Sequence, residues 1–152
     1  MIQYLSCRNP FGMLLIGLED GAVVSLKLAA EPLSEESPSP AVQALIRQLS
    51  EYFSGIRTEF DIPLSLKGTP FQMLVWQELR RIPYGQTRTY GEIATAIGKP
   101  GAARAVGMAC NRNPIRLLIP CHRVVGKNRS LTGYAGGLDM KQQLLELEQQ
   151  NA

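Results

Sequence analysis

Two capping-box signatures in the second half of this 152-residue chain fix where helices begin. Thr69-Pro70-Phe71-Gln72 supplies a capping hydroxyl, a proline for the first turn, and a glutamine three residues after the threonine. Thr89-Tyr90-Gly91-Glu92 repeats the pattern. The first of these helices is expected to bury an apolar face, which consists of Phe71, Leu74, Val75 and Ile82.

A helix-turn-helix pattern follows the second signature. Gly98 is expected to end the first short helix, Lys99-Pro100-Gly101 forms the turn, and the second helix runs from 102 to 111. The second helix is rich in alanine and glycine, with Arg104 near its start. The motif is typical of a helix that enters a DNA groove, the major groove in the usual case, but it also occurs in helical hairpins that never touch nucleic acid. On the motif alone, a solvated surface residue is the favoured interpretation of Arg104.

The first half has the pattern of a small sheet with one helix. Ile2–Ser6, Met13–Gly17 and Ala22–Leu28 are short β-prone runs, and Asp20-Gly21 is a hairpin signal between two of them. Residues 31–40 hold three prolines and three serines and are predicted to form a loop. Apolar residues then recur at helical spacing, and Gly55 is expected to end that helix; they are Val42, Leu45, Ile46, Leu49 and Phe53.

These patterns predict an α+β protein with an N-terminal unit at 1–66 and a C-terminal unit at 67–152. We find no chemistry in the first unit, where Cys7 is expected to be a packed structural thiol. The aliphatic runs are too short to cross a bilayer, and the N-terminus lacks the pattern of a signal peptide. Three cysteines favour a reducing compartment over a disulfide framework, so we expect a cytoplasmic or nucleoid-associated protein.

Charge divides unevenly between the two halves. Residues 1–66 carry four basic and eight acidic residues, whereas residues 67–152 carry twelve basic and five acidic ones. The stretch from Lys99 to Arg129 holds seven basic residues and no acidic one. Such a stretch fits a polyanionic partner, and charge alone leaves a solvated basic face equally open. A membrane surface is disfavoured because no basic amphipathic helix with a broad apolar face is present.

The single histidine, His122, directly follows Cys121. A thiol is nucleophilic as the thiolate, and a nearby base raises that fraction. Successive side chains of an extended segment point to opposite faces, so the two residues can cooperate only through a turn or a bridging water. Glu148 on the last predicted helix is one candidate for orienting the imidazole. On these residues alone a buried structural cysteine is favoured over a cysteine protease, and a zinc site lacks its ligands.

The motif around Cys121 resembles the active-site signature of the O6-alkylguanine-DNA alkyltransferases, also called methylated-DNA–protein-cysteine methyltransferases. The resemblance extends over the whole second half, in the family's order, while the first half matches only in size, pattern and the residues 52–55. The matching segments are Phe71-Gln72, Val75-Trp76, Ile82–Gly85, Thr89–Ala94, Ala102–Gly107, Asn113-Pro114, Pro120–Val124, Gly133–Leu138, Lys141 and Leu144–Glu148. It implies a ribonuclease H-like N-terminal fold and a winged-helix-like C-terminal domain with a helix-turn-helix.

The resemblance implies that Cys121 takes the alkyl group from guanine O6 in one irreversible transfer. His122, through a water, would remove the thiol proton, and Glu148 would orient the imidazole. Asn113 would hold the loop around the site. Tyr90 would donate a proton toward guanine N3 and crowd the neighbouring phosphate.

A second group of residues is implied to bind the flipped base and the DNA. The carbonyls of Cys121 and Val124 would bind the guanine amine, and Lys141 would bond a carbonyl oxygen of the site. Tyr134 would wall the pocket, and the backbone N–H of Ala135 would bond O6. Residues implied to contact DNA through the minor groove are Arg104, which fills the gap left in the base stack, Tyr90, Ala102 and Lys127.

The implied substrate is double-stranded DNA that contains O6-alkylguanine, bound as a monomer with little sequence preference; use of O4-alkylthymine stays open. We expect no metal and no cofactor, because the first half lacks the clustered Cys and His of zinc-binding members. Cys110 on the presumed DNA-facing helix is a candidate second reactive thiol. Two alternatives remain: a lesion-recognition module without transfer, whose relatives carry Trp in place of this Cys, and a thiol hydrolase.

Overall fold

The computed structural model describes residues 2–10, 12–29, 40–131 and 138–152. These residues form two compact units, Met1–Leu66 and Lys67–Ala152. The first unit contains a sheet and a helix, and the second is mostly helical. The predicted α+β class is therefore confirmed. The predicted loop at 31–40 lies outside the described residues, apart from Pro40, which begins a helix.

The first unit is built on a three-stranded antiparallel sheet, in the order β1 (Gln3–Asn9), β2 (Gly12–Glu19) and β3 (Ala22–Ala29). Asp20 and Gly21 form the predicted hairpin, with φ of 53° and 79°. Positive φ at both central residues is what a two-residue type I′ turn requires. Each strand is longer than predicted, because the turns are as short as two residues and pairing continues to them: Glu19 pairs with Ala22.

Helix α1 (Pro40–Phe53) contacts β1 and carries the apolar stripe of this unit. Val42, Leu45, Leu49 and Tyr52 are buried, whereas Ile46 is 36% exposed. Ile46 and Phe53, which the spacing included in the apolar stripe, are exposed and half-buried, respectively. Tyr52 lies three residues after Leu49 and seven after Leu45, which places its ring at the middle of the buried face instead.

The second unit contains α2 (Pro70–Leu79), α3 (Tyr90–Ala96), α4 (Ala103–Asn111) and α5 (Leu138–Asn151). Both capping boxes are confirmed. The Thr69 hydroxyl accepts from the Gln72 amide at 3.1 Å, and the Gln72 side chain accepts from the Thr69 amide at 3.0 Å. Thr89 and Glu92 make the same reciprocal pair, at 3.0 Å in both directions.

The buried face of α2 differs from the predicted one. Val75, Trp76 and Leu79 are buried, whereas Leu74 is 44% exposed and Ile82 is buried beyond the helix end. The Trp76 indole N–H donates to the Ala109 carbonyl at 2.9 Å and so ties α2 to α4. Burying the large indole, whose N–H needs a partner, rotates the helix so that Leu74 faces outward.

Helices α3 and α4 form the predicted helix-turn-helix. The first ends at Gly98, with φ of 79°, and the two helices pack through Ile93, Ala94, Val106 and Ala109, all buried. Two short strands that the sequence did not predict, β4 (Arg88–Thr89) and β5 (Val124–Val125), pair in parallel. Because Thr89 caps α3 and pairs with Val125, this pairing holds the segment after the Cys motif beside the start of α3. Among the described residues, no helix has the length and apolarity that crossing a membrane requires.

Candidate functional site

Cys121 lies in a one-turn 3-10 helix, Cys121–Arg123, between a buried segment and β5. Cys121 is 5% exposed, His122 is fully buried, and Arg123 is 7% exposed. In an extended segment the side chains of Cys121 and His122 would point to opposite faces, so a turn is the conformation that allows both to contribute to the same site. A proline at the position before Cys121 leaves that position without an N–H donor, and the Arg123 amide donates to its carbonyl at 3.0 Å to close the turn.

Asn113 ties together the loop that leads to Cys121. Its side-chain amide donates to the Ile119 carbonyl at 2.8 Å, and its side-chain oxygen accepts from the Ile115 amide at 2.9 Å. The same side chain partly offsets the effect of burial, which raises the pKa of the Cys121 thiol. A buried amide that bonds both ends of a loop fixes the position of the sulfur.

Glu148 of α5 is the centre of a buried polar cluster. Its carboxylate receives His122 Nε2 at 2.7 Å and two donors of the Arg123 guanidinium, Nε at 2.8 Å and Nη2 at 3.0 Å. Arg123 also donates to the Ile82 carbonyl at 2.7 Å. Burial raises the pKa of Glu148, but hydrogen bonds from His122 and Arg123 and the charge of the Arg123 guanidinium outweigh burial and lower this pKa to about 2. The carboxylate is therefore ionised and can only accept hydrogen bonds.

The ionised Glu148 determines which imidazole nitrogen carries the proton. Burial lowers the pKa of His122 below its ordinary value, and the nearby Arg123 cation acts in the same direction, so the ring is neutral at pH 7. A neutral ring that faces an acceptor must donate through Nε2. Its Nδ1 then carries the lone pair, and this buried atom has no hydrogen-bond partner in the described part of the chain. The site thus holds a neutral imidazole with one nitrogen available as a base.

The Cys121 thiol is protonated at rest. Burial raises its pKa above the ordinary value, while Asn113, Arg116 and Lys141 act in the opposite direction. Lys141 of α5 is fully buried and donates to the Val124 carbonyl. A positive charge beside the sulfur stabilises a thiolate once the proton has left. The site therefore needs a base at the moment of reaction rather than a resting thiolate.

The other residues that the resemblance implied lie on the same unit. Tyr90 is the first residue of α3, and Lys141 Nζ lies 5.8 Å from the centre of its ring. Arg104 is exposed on α4, and Lys127 is exposed in a 3-10 turn, Lys127–Arg129, after β5. Ala102 is the N-cap residue of α4 and makes no side-chain capping hydrogen bond. Tyr134 and Ala135 lie outside the described residues.

Comparison with known proteins gives the family. The model of the 6-O-methylguanine DNA methyltransferase DNA-binding domain matches residues 70–150. A methylated-DNA–protein-cysteine methyltransferase of Methanosarcina acetivorans is 61% identical and covers 97% of this chain and 98% of its own. A second, of Mycolicibacterium paratuberculosis, is 47% identical and covers 100% and 95%. The crystal structure of Mycobacterium tuberculosis OGT in complex with DNA is 46% identical, covers 98% of this chain and 94% of its own, and has a TM-score of 0.89.

This chain belongs to the methylated-DNA–protein-cysteine methyltransferase family. The comparisons span both units, whereas all but one of the matching sequence segments, residues 52–55, lay in the second half. The first unit is thus part of the family's fold, although its residues offered no chemical signature.

Sequence reasoning missed Arg123 in this methyltransferase. It was counted among the seven basic residues of the acid-free stretch, but it is buried and neutralised by Glu148. Its partner lies 25 residues away on another element, so no local pattern could reveal the pair. Arg123 therefore belongs to the site and not to the cationic surface that the stretch presents.

Cys110, the candidate second reactive thiol on the presumed DNA-facing helix, is buried in the structure. The residue is 6% exposed and lies on the buried side of the helix, with Val106 and Ala109. Burial raises the pKa of its thiol far above the ordinary value, and the nearby Cys121 adds to the rise. A buried, protonated thiol is a poor nucleophile. Cys7 of β1 is only half-buried, and burial also raises its pKa.

Proposed function

We propose that this protein repairs O6-alkylguanine in duplex DNA by transferring the alkyl group to its own Cys121. The observation that carries the proposal is the buried Cys121–His122 turn, in which the ionised Glu148 leaves a neutral imidazole with Nδ1 free as a base. Membership of the family supports this class of reaction. The geometry of the turn supports Cys121 as the nucleophile and His122 as its base. The experiment that tests it is mass spectrometry of the protein after incubation with methylated duplex.

The transfer is a direct displacement at the alkyl carbon. The sulfur of Cys121 forms a bond to that carbon while the bond between the carbon and guanine O6 breaks. His122 Nδ1 takes the thiol proton through a water, and Glu148 stabilises the imidazolium that forms. Tyr90 delivers a proton toward guanine N3, so the base leaves neutral.

Burial of the nucleophile requires the target base to leave the stack. Cys121 is 5% exposed, and a paired guanine cannot reach a buried sulfur. Flipping costs a few kcal/mol, least for a poorly paired alkylated base. In the pocket, the carbonyls of Cys121 and Val124 accept from the guanine amine. The Val124 oxygen accepts from Lys141, and a carbonyl oxygen has two lone pairs and can accept a second hydrogen bond.

We also assign Tyr134 and Ala135 to the proposed pocket, as the resemblance implies, although both lie outside the described residues. Tyr134 would form one wall of the pocket, and the backbone N–H of Ala135 would donate a hydrogen bond to guanine O6. Ala102, Arg104 and Lys127 provide the proposed DNA contacts together with Tyr90. We further propose that the protein acts as a monomer on chromosomal DNA inside the cell, with transfer and binding in residues 67–152 and a supporting role for residues 1–66.

Arg104→Ala is expected to slow repair of duplex far more than reaction with the free alkylguanine base. An inserted side chain that replaces the flipped base contributes a few kcal/mol, which corresponds to about 100-fold in rate. Free base needs no flipping and should react unchanged. The matched control is Arg80→Ala, an exposed cation of the same unit outside the acid-free stretch. Equal slowing on both substrates would show that Arg104 acts elsewhere.

Affinity for duplex DNA is expected to fall with salt. Of the seven basic residues in the stretch, Arg123 is buried and Arg116 is half-buried. The five exposed cations are Lys99, Arg104, Arg112, Lys127 and Arg129. Arg129 is partly neutralised by Glu92 at 3.4 Å.

With three to five phosphate contacts, the slope of log K against log salt should lie between about −3 and −4.5. Lys27→Ala, which removes an exposed cation of the first unit, should leave the slope unchanged. Contacts to backbone and groove shape give little sequence preference. A slope near zero, or strong selection of one sequence, would contradict the proposed surface.

A lesion-binding module that recruits other factors is the second candidate. Exposed cations on α4 favour it as much as they favour the leading proposal, because binding needs no nucleophile. The two differ in one product. Transfer adds a single methylene mass to the protein, whereas a module leaves its mass unchanged. A thiol hydrolase, the third alternative, gives no reason for the cations around Arg104.

A further inference from the structure

Helix α4 carries more on its exposed side than the single arginine assigned above. Arg104, Met108 and Arg112 are four residues apart and all exposed, and we call them the outer face of α4. They span about 12 Å of the helix axis. The opposite side of α4 is fixed by packing, because its residues are buried: Val106, Ala109 and Cys110.

Met108 is unusual on this face. It is 60% exposed, a large apolar side chain between two cations whose guanidinium groups have no hydrogen bond or ion pair to another described residue. It borders a shallow hollow of about 200 Å³ between α2 and α4, lined also by Phe71 and Ala109. The hollow leaves the flexible thioether chain room to change rotamer against a partner.

The chemistry of the outer face fits one class of partner. The two arginines lie in the acid-free stretch and favour an anionic polymer. An exposed methionine between them favours a partner that also offers apolar surface within a few ångströms of its charges. A DNA groove meets both demands, because deoxyribose edges lie between its phosphates, and proteins that open the minor groove commonly place apolar side chains there.

We propose that Met108 contacts DNA, packing against deoxyribose one helical turn beyond Arg104, and that Arg112 binds a phosphate on the same face. The inference rests on the proposed function and adds to it a residue that positions α4 in the groove. This contact would fix the position of α4 in the groove, so that Arg104 can enter the base stack. A neutral contact of this kind adds affinity without adding salt dependence.

The test compares Met108→Ala with Ile56→Ala, which removes a side chain that is 75% exposed in the first unit. Met108→Ala is expected to bind duplex about tenfold more weakly, the order of magnitude for losing one apolar contact, with the salt slope unchanged. Its melting temperature and its reaction with free O6-methylguanine base should equal those of the parent. Met108→Leu should restore affinity, and Arg112→Ala should make the slope shallower by about 0.9.

The outcomes separate this inference from the function on which it rests. If the parent protein transfers methyl from duplex to Cys121 while Met108→Ala binds as tightly as Ile56→Ala, the inference is overturned and the function stands. If Met108→Ala slows reaction with free base or lowers the melting temperature, Met108 supports the fold or the pocket, and the inference is again overturned. If the parent transfers nothing while Met108→Ala still binds duplex more weakly than Ile56→Ala, the proposed function is overturned and the contact of Met108 with DNA stands.

Discussion

Replacing Glu148 by alanine is expected to destabilise the protein by about 3–5 kcal/mol, because Arg123 would be left as a buried cation without a counter-charge. The carboxylate accepts both donors from Arg123 and one from His122, and all three side chains are almost fully buried. For a chain of this size the melting temperature should fall by roughly 10 °C or more. Glu146→Ala, on the exposed side of the same helix, is the matched control and should change stability by less than about 0.5 kcal/mol.

The double variant Glu148→Ala/Arg123→Met checks the cause. Replacing a buried ion pair by apolar side chains of similar volume is often close to neutral, so the double variant should regain much of the lost stability. If it is as unstable as Glu148→Ala, the buried cation is not the reason. If Glu148→Ala has the same melting temperature as Glu146→Ala, the buried cluster does not stabilise the fold.

The same cluster sets how stability depends on pH. The folded-state pKa of Glu148 is lowered to about 2, below its ordinary value, so its contribution is present above about pH 5 and is lost as pH falls toward 2. The lowered pKa of His122 acts in the same direction, because the unfolded chain binds a proton below about pH 6.5 that the folded protein does not. Chemical unfolding between pH 7 and pH 3 should show this loss, and Glu148→Gln should reduce it.

Cys121→Ala is expected to abolish transfer and to keep duplex binding. The nucleophile and its base act as a unit, and removing the nucleophile from such a unit costs at least about 10⁴-fold in rate. We have proposed that binding depends on Arg104 and the other exposed cations, and the substitution leaves these residues unchanged. Transfer is followed as loss of label from methylated duplex, and binding is followed by titration at fixed salt.

Cys110→Ala is the matched control for that variant, since it removes a second buried thiol of the same unit. It should transfer at the parental rate if the fold is intact, which its melting temperature reports. Transfer by Cys121→Ala would show that Cys121 is not the acceptor. Loss of transfer in a folded Cys110→Ala variant would likewise contradict the assignment of Cys121 as the acceptor.

Local patterns predicted most of the second unit correctly. A capping box is complete within four residues, and a glycine that ends a helix acts through its own φ, so Thr69, Thr89 and Gly98 could be read directly. The hairpin at Asp20 and Gly21 is equally local. The resemblance placed the Cys motif in its family before any contact was known.

Long-range pairing explains what the sequence did not predict. Arg123 was taken for a surface cation because its partner Glu148 lies on another helix. The outward rotation of Leu74 follows from the hydrogen bond of Trp76 to α4, 33 residues along the chain. The side of α4 on which Cys110 lies depends on the same packing, since alanine and glycine around it give little hydrophobic contrast between faces.

We expect Cys121 to accept a single alkyl group and not to be regenerated. A thioether has no sulfur–sulfur bond for a thiol to exchange with, so added reductant cannot reopen the site. The direct measurement is a titration of fixed protein with methylated duplex in the presence of thiol reductant, followed by intact and peptide mass spectrometry. We predict a plateau at one equivalent, with one methylene mass on the peptide that contains Cys121. No added mass, a mass on Cys7 or Cys110, or a plateau clearly above one equivalent would contradict the claim.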